Sequence, residues 1–190
     1  MRRRQFITAL GGAVATATWP LAGIAQPANK LRRIGMLMAY AEGDREGQAF
    51  VTTFRQALAK LEWAEGRNVQ IDIRWATASD AAARQRLAKD LVALNPDLIL
   101  AHGTPTAAAL LQETRSIPII FLNVSDPIGS GFVASFARPS GNATGFITME
   151  PTLSGKWVEL IKEIDPRVTR CALLFNPTTA PYAHYFVNPF

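Results

Sequence analysis

Short, unbroken apolar runs separated by amphipathic stretches restrict this chain to a narrow set of folds. Residues 34–38 (IGMLM), 98–101 (LILA) and 119–122 (IIFL) carry no polar side chain. A strand with one wet face alternates polar and apolar residues, so runs this uniform belong to strands covered on both faces. Between them, Phe50, Phe54, Ala57, Leu58 and Leu61 recur at helical spacing, and Ala83, Leu87, Leu91 and Leu94 do so again. Asn95-Pro96 stops the second helix, and Ser79 or Asp80 starts it. Val69, Ile71 and Ile73 alternate with Gln70, Asp72 and Arg74, the signature of a strand at a sheet edge. Thr104 as N-cap and Pro105 at the first helical position predict a third helix through Glu113. A short helix over 131–136 and a fifth strand over 145–148 complete the first unit.

Strands alternating with helices form parallel βαβ units with right-handed crossovers, hence an α/β fold of three layers. An edge-like second strand beside apolar first, third and fourth strands fits a doubly wound parallel sheet of order 2-1-3-4-5. After Pro151 the pattern restarts. Trp157, Leu160, Ile161 and Ile164 form a helical face, and residues 171–175 (CALLF) are expected as a buried strand carrying the single cysteine, Cys171. One strand without neighbours has unpaired edges, so this second unit is expected to be incomplete.

The N-terminus has the layout of an export signal. Arg2-Arg3-Arg4 precede a weakly apolar stretch from Ile7 to Leu21, and Gly23 and Ala25 place small residues at −3 and −1 of a cut after Ala25. Arg-Arg followed by Gln5, Phe6 and Ile7 also fits a twin-arginine signal, which exports folded proteins. No cysteine follows the cut to carry a lipid, so the expected product is periplasmic and not membrane-anchored. Of the formal charge of +5, three units belong to Arg2, Arg3 and Arg4, which leaves +2 on the rest. With no clustered Lys and Arg after residue 33, nucleic acid is not an expected partner.

The segments HGTPTAAAL (102–110), NVSDPIGSGFVASFARPSGNATGF (123–146) and LLFNPTTAPYA (173–183) together resemble ABC transporter substrate-binding proteins of the tryptophan/tyrosine type. The resemblance covers residues 30 to about 183. It implies a type I periplasmic-binding fold, a membrane permease as partner and an amino-acid-like ligand. The expected organisation is an export signal at 1–25, a first ligand-binding lobe at 26–149, and a hinge with a truncated start of a second lobe at 150–190. Members of the family continue well beyond the NP-T-PY segment, so a non-functional remnant of such a receptor is the main alternative.

In open parallel sheets, ligands bind beyond the carboxyl ends of the strands near the point where strand order reverses. Three loops are expected there, carrying Tyr40, then His102, Gly103 and Thr104, then Asn123 and Asp126. The helix start at Gly103-Thr104-Pro105 offers backbone N–H groups and a positive dipole end to a carboxylate. Asp126 suits an ammonium, Asn123 either pole, and Tyr40 an apolar face, so the set suits a small zwitterion. Each residue has a second reading. Thr104 serves as an N-cap, Asp126 as a cap after Pro127, Tyr40 as a surface aromatic, and His102 as a loop histidine bonded to backbone. An exported α/β enzyme is less favoured, because the chain has no G-x-S-x-G, no H-E-x-x-H, no Gly-rich nucleotide loop and two histidines only. No cofactor or metal is expected, and a repressor of the same fold would need a helix-turn-helix that residues 1–30 lack.

Overall fold

The computed structural model describes residues 31–190 except 78, 148, 151, 178–179, 181 and 189–190. The export segment expected at 1–25 and Pro151 of the hinge therefore lie outside the described residues. Five parallel strands form one sheet: β1 (Arg32–Met38), β2 (Val69–Trp75), β3 (Leu98–His102), β4 (Ile119–Leu122) and β5 (Ala143–Phe146), in the order β2-β1-β3-β4-β5. The helices are α1 (Arg45–Lys60), α2 (Ala81–Ala93), α3 (Thr104–Glu113), α4 (Leu153–Ile164) and α5 (His184–Val187). Strand order reverses between β1 and β3, because β2 returns to one side of β1 and β3 to the other.

Capping chemistry fixes two helix starts. The Asp44 carboxylate accepts from the N–H groups of Glu46 and Gly47 at 2.9 and 3.0 Å, and Asp80 accepts from Ala83 at 2.8 Å. At the amino end of the sheet, Asp97 accepts from the Arg33 N–H at 2.8 Å and from the Arg32 guanidinium at 2.9 Å, tying the start of β3 to β1. Arg33 also reaches across to Asp72 of β2 at 2.7 Å and holds that carboxyl below the usual range.

The two faces of the sheet are covered unequally. On one, Leu37, Ile99, Ala101, Ile119 and Phe121 are buried under Leu91 of α2 and Ala107 and Leu110 of α3. On the other, Met36, Met38, Val69, Ile71 and Leu100 are buried against Val51 of α1, with Phe54 and Leu58 packed beside them. Gly47 brings α1 close to the sheet, since a Cβ there would stand 2.9 Å from Trp75 and Tyr40 atoms. The helical face expected for α1 is rotated accordingly. Its centre is Gly47, Val51 and Phe54, while Phe50 and Leu61 are 44% and 69% exposed.

Three further expectations are corrected. Residues 131–136 form no helix. The chain turns over 127–131 instead, with the Phe132 N–H bonded to the Pro127 carbonyl at 2.9 Å. Residues 171–175 form no strand, Leu174 is 98% exposed and Cys171 is exposed rather than buried. The physical reason is the one that makes a lone strand unstable: no neighbour pairs its backbone or covers its side chains. The fifth strand lies two residues earlier than expected, because its register follows β4, with Phe121 opposite Gly145. A Cβ at Gly145 would overlap the Phe121 carbonyl oxygen, so glycine permits this pairing. Beyond the sheet, α4 meets α5 through Trp157 and Phe186, whose rings stack at 6.2 Å.

Candidate functional site

The β1, β3 and β4 loops emerge at one edge, on either side of the reversal between β1 and β3. Gly103, at φ +91, caps α3 and donates its N–H to the Leu122 carbonyl at 2.8 Å, which extends the β3–β4 ladder into the loop. A Cβ on Gly103 would also press on Ala39 at 3.2 Å. Thr104 is therefore the first helical residue and not the N-cap. Its hydroxyl accepts from the Ser125 N–H at 2.9 Å, joining the loop after β3 to the loop after β4. No side chain caps α3, so its amino end faces the edge with backbone groups and dipole alone. Thr106 turns its hydroxyl inward to the carbonyls of His102 and Gly103, at 2.7 and 2.8 Å.

The loop after β4 is conformationally unusual. Asn123 and Asp126 have φ of 54° and 45°, a region that side chains other than glycine rarely enter. Oδ1 of Asp126 accepts from the Gly129 N–H at 2.7 Å, closing the turn, and Oδ2 lies 3.7 Å from Nε2 of His184. Tyr185, next to His184, is pushed up by burial and by the charges of Asp126 and Glu150. Asp126 thus meets its own turn and α5, apart from the ring cluster around His102.

That cluster is the other half of the edge. The His102 ring packs against Tyr40 at 5.0 Å and Phe50 at 5.1 Å between centroids. Burial holds the His102 imidazole below its ordinary value, against the opposing charge of Glu46. Burial is also the main cause that raises the Tyr40 phenol, with Glu46 and Asp44 adding to it. His102 is 6% exposed, and neither ring nitrogen has a hydrogen-bond partner.

The unpartnered ring borders a cleft of about 450 Å³ on the α1 side of the sheet. Its floor follows from register: Met36 pairs with Leu100 and His102 with Leu122, which pairs with Phe146. Phe50 and Phe54 of α1 form one wall, and Glu46 and Asn123 stand at the end nearest the loops. Of the expected site residues, His102 and Asn123 line the cleft, while Tyr40, Gly103, Thr104 and Asp126 do not. Phe50, Phe146, Leu122 and Glu46 were not foreseen. Strand alternation could have signalled Phe146 and Leu122, since both fall on the same face as His102.

A doubly wound lobe with converging loops at its reversal point is the fold of periplasmic binding proteins, and solved structures bear this out. A conserved domain protein from Vibrio cholerae superposes with a TM-score of 0.72 at 29% identity, covering 84% of this chain and 53% of that one. The ABC domain of a Streptococcus pneumonia protein in complex with L-Trp superposes at 0.70 with 26% identity, again over 84% and 53%. Residues 39–184 match the family of ABC transporter substrate binding proteins, and the chain belongs to that family. A tyrosine-binding protein of Clostridioides difficile strain R20291 is 32% identical over 143 residues, which make up 75% of this chain and 39% of that relative. The chain spans about half the length of these relatives or less. Among the described residues no helix is long and apolar enough to cross a membrane.

Proposed function

We propose that this chain supplies the first ligand-binding lobe of an exported solute-binding component of an ABC importer, and that its ligand is an amino acid or a similar small zwitterion. The carrying observation is that relatives aligned over this lobe include a tyrosine-binding protein and a structure holding L-Trp. The edge supports it chemically. The uncapped start of α3 and the Thr104 hydroxyl proton suit a carboxylate, and Gly103 lets a ligand approach the backbone. Asn123 suits an ammonium group and lines the cleft with His102, and Asp126 would have to turn from its own loop and His184 to join them. On this reading residues 1–25 are the export signal, 26–149 the lobe, and 150–190 the hinge and the start of the second lobe, with a membrane permease as partner and the periplasm as its place.

Two-lobed receptors close around a ligand, each lobe supplying part of the contact. One open lobe leaves much of a ligand wet, so affinity in the millimolar range, about −4 kcal/mol, is expected of this chain alone. Titration of the labelled protein with a pooled amino-acid set, followed by two-dimensional NMR, tests the reading. Shifts at Gly103 and Asn123 are expected. An amino-acid set that moves no resonance of the edge refutes it.

A further inference from the structure

The apolar face of α4 stands largely in solvent. Leu153, Trp157, Leu160 and Ile164 recur at spacings of four, three and four, which are the a and d positions of a heptad. Of the helices and strands, α4 packs chiefly on α5, where Phe186 stacks on Trp157. Leu160 is 54% and Ile164 85% exposed, and Leu153 and Ile161 beside them are exposed too. A helix of this length draws its stability from packing such a face rather than from propensity.

Charge at the border of the face says what fits it. Lys156 and Glu163 flank the apolar stripe on the same side, about two turns apart, at the g positions of that heptad. Lys156 already meets Glu159 at 2.6 Å and keeps further N–H donors for a second carboxylate. Turn a second copy of α4 antiparallel about a two-fold axis, and each Leu153 comes opposite an Ile164 and each Leu160 opposite a Trp157. The same register sets Lys156 of each copy against Glu163 of the other, so symmetry makes the ion pair twice. A parallel pair would bring Lys156 against Ile161 instead and leave both charges unmatched. We propose that this face is an interface between two copies of this chain, a two-fold antiparallel pairing of α4 with α4 bordered by Lys156–Glu163 ion pairs. It lies on a different surface from the candidate edge and stands independently of the amino-acid reading.

Sedimentation equilibrium of the full chain measures the association, with a reductant present so that the exposed Cys171 forms no disulfide. A face this small gives a weak dimer, so monomer and dimer should interconvert between about 10 and 500 μM. Lys156→Glu sets carboxylate against carboxylate in the homodimer, and Glu163→Lys sets ammonium against ammonium. Both positions are exposed, so each variant should fold. Each reversal turns two attractive pairs repulsive and should weaken association about tenfold or more. Mixed in equal amounts, the two variants should regain wild-type affinity, because every pair across the interface is again of opposite sign. Misfolded chains could not give that recovery. Leu160→Asp, which puts a charge into a central layer, should leave the chain monomeric. A wild-type chain that stays monomeric throughout the range overturns the proposal, as does a dimer that either reversal leaves unchanged or that the mixture fails to restore.

Discussion

Replacing Thr104 with valine removes one hydroxyl and almost nothing else, which isolates the bond that joins the two loops of the site. Thr104 is 8% exposed, and its oxygen accepts the Ser125 N–H at 2.9 Å across 21 residues of sequence. Valine fills the same space but leaves that N–H without an acceptor. An unsatisfied donor costs about 1–3 kcal/mol when buried, and Ser125 is only half-buried, so about 1–2 kcal/mol is expected. At roughly 2–4 °C per kcal/mol for a domain of this size, the melting temperature should fall by about 2–8 °C. Circular dichroism melts measure that fall, and amide exchange locates it, because Ser125 should lose protection while Ile99 in the sheet keeps its own. Thr104→Ser retains the hydroxyl and should keep Ser125 protected even though it gives up a methyl. A Thr104→Val protein with an unchanged melt and an equally protected Ser125 would show that the loops are held by something else.

Other perturbations have equally definite outcomes. Gly145→Ala puts a methyl into the Phe121 carbonyl and ring, so β5 should detach and thermal stability drop by about 1–3 kcal/mol or more, visible as exchange of the β4 and β5 amides. Gly103→Ala forces φ +91 on a residue with a Cβ that presses on Ala39, costing about 1–2 kcal/mol in denaturant melts. His102 is held below the ordinary imidazole value of 6.5, so the unfolded chain takes up a proton first as pH falls. Stability is lost downward from about pH 6.5 to the folded value, and His102→Phe should flatten that part of a pH-dependent melt. Asp72 is likewise depressed, from 3.8, by Arg33, so its contribution is present above that pH and disappears as pH falls through the folded value; Asp72→Asn should shrink the loss at the acid end. Cys171 is exposed, and a maleimide should label it in the native protein at the rate of an unfolded control.

Where several levels of the sequence agreed, the fold was legible. The runs at 34–38, 98–101 and 119–122 had no face to show to water, and alternation at 69–74 marked β2 as an edge. Order 2-1-3-4-5 followed from those two signals. Misjudged segments were those whose conformation depends on partners. Residues 171–175 have a strand's composition but no strand beside them, and 131–136 have apolar residues but are drawn into turns by Asp126 and Pro127. The loops of the candidate site could be placed because glycine, threonine and proline mark the start of α3. The cleft beside them could not, since it depends on how far α1 extends across the sheet. The period in α1 identified an apolar face but not its rotation, and Gly47, rather than any large side chain, sets it.

The backbone after β4 also limits how the candidate edge can evolve. Asn123 and Asp126 both lie at positive φ, where asparagine, aspartate and glycine are tolerated and β-branched or bulky residues are strongly disfavoured. A lineage, or an engineer, seeking a new ligand cannot retune the site by enlarging these two positions without unwinding the turn that presents them. On the proposed reading, changes of specificity come instead from neighbouring positions with ordinary backbone geometry. The loop acts as a fixed mount, and the rings and aliphatic residues around it are the interchangeable parts.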